Sequence, residues 1–363
     1  MKTVRFVMGA GMGDEGKGTV VAKYTKGRES VLNILTNGGS QRGHSVITDV
    51  GDHTFKHFGS GTYYGASNYY SKFFIINPMQ FVKEWHELVV KPVVYRDRRC
   101  LWSTPFDMMA NSISEEERGT HASCRMGIWN TIRRRRDTVS DDMPFDTFMD
   151  DITDKTGYLA LVKRYYEKNL TIPYRWKSIW NSPNIVSHFI EDCDFMYKHT
   201  VSVGSAGSVL IPGFGDYIFE SGQGLMLSDT GKDTPDTTPS VTGMACPKAV
   251  MEEMGLNLTN SDISLHYVTR PYLTRHGDGH LGGQCSRSDI SSGVDEDRTN
   301  TYNEAQGEFR YAPLDTADLK ERILADCGGW DFTVELTHCD EMDRVSEFRK
   351  VFESVETTDS PAV

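Results

Sequence analysis

Apolar positions along the chain fall into short blocks separated by polar, glycine-bearing segments. Residues 3–9 form the first block, which closes at Gly9 and predicts a buried strand. Residues 16–26 continue as a short helix, so the chain opens as strand, loop and helix. A second apolar stretch runs from Ser30 to Leu35 and leads straight into Thr36-Asn37-Gly38-Gly39. Helical patterns follow at about 78–90, 155–168, 183–199 and 316–326, with strand patterns at 207–211, 216–220, 264–269 and 331–336. Strands interleaved with helices predict an α/β fold around a mostly parallel central sheet. Residues 107–155 are unusually polar and are expected outside that sheet, within a polar, helical insertion spanning about 107–200. Residues from about 353 to 363 read as a polar tail that frays. No Pro/Ser-rich linker divides the chain, so residues 1–363 are expected to form a single domain.

Composition narrows the function more than the fold. The 363 residues carry 39 basic and 51 acidic side chains, a formal charge of −12. That balance argues against broad binding to a phosphate backbone, so no nucleic-acid partner is expected. No apolar run approaches the roughly 18 residues of a membrane span, and the N-terminus lacks the pattern of a cleaved leader. The seven cysteines are scattered without a CxxC pair, which suits a reducing cytoplasm and gives no zinc site.

The strongest chemical signal is Gly11-Met12-Gly13-Asp14-Glu15-Gly16-Lys17-Gly18-Thr19. It nearly matches a Walker A loop, with Gly18 standing where Ser or Thr is expected and Thr19 following. Glycines let backbone N–H groups curl around phosphate oxygens, and the next helix adds its positive end. Asp14 is unexpected there. A carboxylate beside phosphate is repelled unless Mg²⁺ or a substrate proton compensates, so Asp14 reads as a metal ligand, a base, or both. The second cluster, Gly38-Gly39-Ser40-Gln41-Arg42-Gly43-His44-Ser45, follows a predicted strand, where open α/β sheets place binding loops. His44 could stabilise a transferring phosphoryl group as acid or hydrogen-bond donor.

Asp14-Glu15-Gly16-Lys17-Gly18, with Gly43-His44 downstream, resembles the adenylosuccinate synthetase family, whose signature is a GDEGKGK loop followed by GGxNAGH. Phe219-Glu220-Ser221-Gly222-Gln223-Gly224 resembles the family's FEGAQG, and Thr238 falls on the Thr of its VTSSN segment. Leu273-Thr274-Arg275-His276-Gly277-Asp278-Gly279 resembles STRVGAG, and Thr337-His338-Cys339-Asp340 resembles the base-reading TKxD. The resemblance implies a two-step ligase. A γ-phosphate is moved to O6 of a 6-oxopurine nucleotide, and L-aspartate then displaces phosphate from C6. It also implies catalytic roles for Asp14 as the base at purine N1, and for Lys17 and His44 at the moving phosphoryl group. Gly13, Glu15, Gly16, Lys17, Gly18, Thr19, Gly43, His44, Thr337 and Asp340 would hold the nucleoside triphosphate. Asp14, Ser40, Gln41, Ser123, Arg136, Gln223 and Thr238 would hold the purine nucleotide. Mg²⁺ would touch Asp14 and the carbonyl of Gly43, and a homodimer is implied in which the Arg133–Arg136 run reaches the partner subunit's nucleotide.

Departures from the family pattern refine these expectations. Gln41-Arg42-Gly43-His44 replaces NAGH, and the aspartate loop is shortened, leaving Arg310 with Thr299 and Thr301 as the candidates for L-aspartate. The chain carries little beyond Asp340 where the family completes a guanine pocket, and His338 replaces Lys, so ATP is expected in preference to GTP. A short chain with QRGH resembles the bacteriophage branch, the 2-amino-deoxyadenylosuccinate synthetases, which take dGMP toward 2-aminoadenine. The location would then be the host-cell cytoplasm. Asp14 points the other way, since some phage members carry a small residue there. An ordinary synthetase using IMP and GTP is the alternative, and a nucleotide-binding switch without ligase activity the alternative of another class.

Overall fold

Each strand that carries the site is buried on both faces, which explains its nearly unbroken apolar sequence. In β1 (Lys2–Gly9), Val4, Phe6 and Met8 enter one core while Val7 enters another, the alternation of a strand. The computed structural model describes residues 1–48, 51–119, 123–137, 149–209, 213–228, 237–238, 240–294, 302 and 304–358. Nine strands build one sheet in the order Thr200–Val203, Val94–Asp97, Ser67–Tyr70, β2 (Val31–Leu35), Asp216–Gly224, β1, Ser261–Thr269, Phe332–Leu336 and Val355–Thr357. Every neighbouring pair is parallel, so the carboxyl ends of all nine open along one edge.

Helix α1 (Lys17–Thr25) lays Val20 and Val21 on Val7, Val31, Ile218 and Val268. On the opposite face Met251, Ile323 and Phe348 pack with Phe6, Ile34, Phe219 and Tyr267. A third cluster lies under the helices between the Leu101–Trp102 and Thr200–Val203 strands, with Phe106, Leu159, Trp180 and Phe189 at its centre. Its first helix, Pro105–Arg118, starts at a Thr104–Asp107 capping box with proline in the first turn. No helix among the described residues is long and apolar enough to cross a membrane.

The predicted strand at 207–211 is absent as such. Ala206–Val209 is a 3-10 turn, closed by Ser208 N–H on Ser205 O at 3.1 Å, as the Gly and Ser content there favours. Residues 210–212 lie outside the described segments. The helix expected over 78–90 stops at Glu87, with the extended Leu88 as its cap before Val89-Val90 and Pro92. The frayed tail also needs correcting. Val355–Thr357 pairs with Phe332–Leu336, and Thr358 N–H donates to Leu336 O at 3.0 Å. Main-chain bonds to an open sheet edge order a segment whose side chains give no such signal.

Candidate functional site

The loop after β1 curls because Gly13 (φ 104°), Asp14 (φ 58°) and Gly16 (φ 86°) are all left-handed, a succession that turns amide groups inward. The Glu15 carboxylate occupies the concavity, accepting from Gly11 N–H at 3.0 Å, Gly13 N–H at 2.8 Å and the Lys17 ammonium at 2.5 Å. Burial alone would raise the Glu15 carboxyl, but Lys17 and the Gly13 and Glu15 amides outweigh it and hold it below its ordinary value. Glu15 and Lys17, both assigned to the triphosphate by sequence, thus pair with one another and are buried. Asp14 behaves oppositely. Burial pushes its carboxyl up, against the pull of nearby His276, Arg270 and Lys17. Its backbone carbonyl accepts from Arg270 Nε at 2.6 Å, which fixes the loop.

Gly18 departs from Walker A for a steric reason. A Cβ there would lie 2.5 Å from Ser45 O and 3.0 Å from the carbonyl carbon of His44, so the helix start rests on the backbone of the second loop. This contact brings Gly43 and His44 beside Gly16–Thr19. The His44 Nδ1 lies 2.5 Å from Glu220 Oε1, and both side chains are buried. Burial drives the imidazole down to about 4 despite Glu220, whereas Glu220, with His44, Arg42 and Ser60 around it, is held at about 2 against its burial. Asn37 joins this loop to the Asp216–Gly224 strand: Gly222 N–H donates to its Oδ1 at 2.8 Å, and its Nδ2 donates to Gly222 O at 3.2 Å.

Several buried polar atoms in this region have no hydrogen-bond partner among the described residues: Ser40 Oγ, both amide atoms of Gln41, Nε and Nη1 of Arg42, and Gln223 Oε1. Gln41 and Gln223 converge beside Gly38, where an added Cβ would stand 2.8 Å from Gln41 Nε2 and 3.4 Å from Gln223 Oε1. Unpaired buried groups are costly, so such a cluster is the mark of a polar ligand. Thr337 closes the far side of the Gly11–Thr19 loop, its hydroxyl donating to Glu15 O at 2.7 Å, and Asp340 is exposed just beyond.

Other sequence assignments land less simply. The Ser123 hydroxyl engages Asn111 and Glu115, and Thr238 N–H donates to Leu227 O at 2.7 Å. Arg310 is already committed to the carbonyls of Gly277 and Gly279 and to Gln284. Thr299 and Thr301 lie outside the described residues. In the arginine run, Arg134 is buried on Asp107 and on Tyr158, while Arg133 and Arg136 are exposed on the same helix. Sequence reasoning passed over Glu220, Asn37 and Arg270. A charged residue inside the apolar strand Asp216–Gly224 was the available signal for Glu220.

The adenylosuccinate synthetase family model matches residues 6–309. An adenylosuccinate synthetase of Dehalococcoides mccartyi is 26% identical over 235 residues, 59% of this chain and 55% of the relative; the chain therefore spans about half the length of that relative. The Hamiltonella defensa synthetase is 24% identical over 333 residues, covering 87% of this chain and 72% of its own. Among solved structures, fully ligated adenylosuccinate synthetase from Plasmodium falciparum superimposes with a TM-score of 0.72 at 17% identity, covering 95% of this chain and 78% of that one. The cyanophage S-2L succinoaminodeoxyadenylate synthetase, bound to dGMP and to dATP as an energy donor, gives 0.64 at 14% identity over 99% and 92%. By fold, by loop and by the length of the family match, this chain belongs to the adenylosuccinate synthetase family.

Proposed function

We propose that this chain is a C–N bond-forming ligase that joins L-aspartate to C6 of a 6-oxopurine nucleotide through a 6-phosphoryl intermediate, with dGMP and ATP as its co-substrates. The carrying observation is the cluster of buried, unpaired donors and acceptors on Ser40, Gln41 and Gln223 beside the Asp14 loop. It offers a purine nucleotide several polar contacts at the place where phosphate donors end. Asp14, raised by burial, takes the N1 proton, which makes O6 a nucleophile. Lys17 and His44 stabilise charge on the moving phosphoryl group. The dGMP assignment draws on the ligands of the cyanophage enzyme and on the Gln41-Arg42 departure.

Mg²⁺ fits the residues present. The Asp14 carboxylate accepts no hydrogen bond among the described residues, and it and the Gly43 carbonyl are hard oxygen donors. Bound there, the ion would add positive charge between the phosphates. The exposed Arg133 and Arg136 are the residues of the run suited to reach a second subunit in a homodimer.

A reading as an IMP-using synthetase is favoured by Asp14 itself and by the names of the curated relatives. Crossing dGMP, GMP, dIMP and IMP with ATP and GTP, with and without L-aspartate, separates the two. A site built for the 2-amino group leaves its own acceptors unpaired without it, at a cost of about 1–3 kcal/mol, or roughly 5- to 150-fold in kcat/KM. A tenfold preference for IMP overturns the dGMP assignment, and phosphate release independent of aspartate overturns the ligase.

A further inference from the structure

We infer that Glu220 is a positioning residue for His44: its carboxylate holds the imidazole by Nδ1 and so leaves Nε2 as the ring atom available to the phosphoryl group. The inference rests on the phosphoryl-transfer reading above. Glu220 is 0% exposed, and nothing about the sheet requires a charge there, because its register partners are Leu35 on one side and Val7 on the other. An ionised carboxylate in such a place is costly unless its oxygens are fully engaged. They are. Oε1 lies 2.5 Å from His44 Nδ1 and accepts from Ser60 Oγ at 2.6 Å, while Oε2 accepts from Ser60 N–H at 3.0 Å.

The arrangement has a direction. Ser60 opens the 3-10 turn Ser60–Tyr64; its N–H donates to Oε2, and its hydroxyl donates to Oε1 of the ionised carboxylate, which leaves both oxygens as acceptors. The ring nitrogen facing Oε1 must therefore carry a hydrogen, so His44 is held as the Nδ1–H tautomer. Nε2 has no protein partner among the described residues and is the ring's remaining polar atom; it donates to a phosphoryl oxygen when the ring carries both hydrogens, with Nδ1–H remaining on Glu220.

Arg42 completes the arrangement. Its buried guanidinium lies near Glu220 and, with the bonds from His44 and Ser60, helps hold the carboxylate ionised. Room for Arg42 comes from the opposite strand. A Cβ at Gly222 would stand 2.9 Å from Arg42 Cδ, so the Arg of QRGH and the Gly of FESGQG are sterically coupled departures from NAGH and FEGAQG. A carboxylate that orients a histidine for its ligand is the usual companion of an imidazole used in chemistry.

Glu220→Gln tests this, because glutamine keeps the shape yet has one acceptor for the donors of Ser60 and His44. In the full chain labelled with ¹⁵N-histidine, the His44 signals (identified by their loss in His44→Gln) should report Nδ1–H in the parent and a mixed or reversed tautomer in Glu220→Gln. Positional isotope exchange in the triphosphate without aspartate should fall about 10- to 100-fold, with the triphosphate KM within threefold. Glu220→Gln combined with His44→Ala should be no slower than His44→Ala alone. Ser60→Ala is the milder second variant, should Glu220→Gln fold poorly, and is expected to lower exchange about three- to tenfold. An unchanged tautomer in a folded Glu220→Gln, or losses that add in the double variant, overturns the inference. Absence of any exchange in the parent would instead overturn the phosphoryl-transfer reading, while the tautomer spectrum still decides the role of Glu220.

Discussion

Replacing Gly18 by alanine adds one methyl group at the contact between the two loops. Its carbon would fall 2.5 Å from Ser45 O and 3.0 Å from the His44 carbonyl carbon, where ordinary contact begins at 3.4 Å. Both obstacles are backbone, so no side chain can swing aside, and the start of α1 and the His44 strand must separate by about 0.9 Å. Forced overpacking of this kind costs about 1–3 kcal/mol. Spread over the unfolding entropy of 363 residues, that lowers Tm by only about 1–4 °C. Catalysis should suffer far more, since a misplacement near 1 Å at reacting groups costs on the order of 10²-fold. Differential scanning fluorimetry and isotope exchange on Gly18→Ala read the two effects separately. Full exchange activity with an unchanged Tm would refute the argument that Gly18 sets the spacing between the Lys17 and His44 loops.

Three further outcomes follow from other parts of the molecule. Asp14→Asn should bind nucleotide nearly as the parent does and lose turnover by about 10²–10⁴-fold, and near-parent rates with either purine would remove Asp14 as the base. Arg134→Ala breaks a buried pair with Asp107 and should destabilise by about 3–5 kcal/mol in denaturant unfolding, so the subunit-mixing test belongs to Arg133→Ala/Arg136→Ala combined with Asp14→Asn, whose mixed dimers should regain activity. Glu335 is held at about 2 against an ordinary 4.5, by His266, Tyr24, Lys23 and Thr358 acting against its burial. A lowered carboxyl contributes stability above its unfolded value and loses it as pH falls toward the folded one, so about 3 kcal/mol present at pH 7 should shrink by about 2 kcal/mol at pH 3. Glu335→Gln should flatten that slope, and an equally steep acid loss in the variant would contradict it.

The opening strand, loop and helix were legible because their signals are local: an apolar run, a glycine succession and a lysine. The sheet's outer strands were harder. Ser67–Tyr70, Val94–Asp97 and Thr200–Val203 are four residues each and mix polar with aromatic or aliphatic positions, so their pairing depends on neighbours distant in sequence. The same holds at the site. Asp14, Lys17 and His44 announce themselves through loop composition, whereas the partner of His44 lies 176 residues away and only the folded sheet brings it near. Glu15 was legible as a loop member, but the inward turn of its side chain was not, because nothing in the sequence tells a carboxylate that meets Lys17 from one that faces solvent.

On the function proposed above, that inward turn changes how a nucleotide would enter. The loop holds an anion of its own, bound by the Gly11 and Gly13 amides and by Lys17. Occupancy is therefore an exchange of one negative group for another, rather than the filling of a bare electropositive hollow. The backbone conformation is maintained in advance by a tethered substitute, so the incoming phosphate need not organise the glycines. What it must do is compete. Small free anions, phosphate or sulfate, would meet a rival of high local concentration and be held off, whereas a polyphosphate with further contacts at the second loop would have the extra binding free energy to displace it.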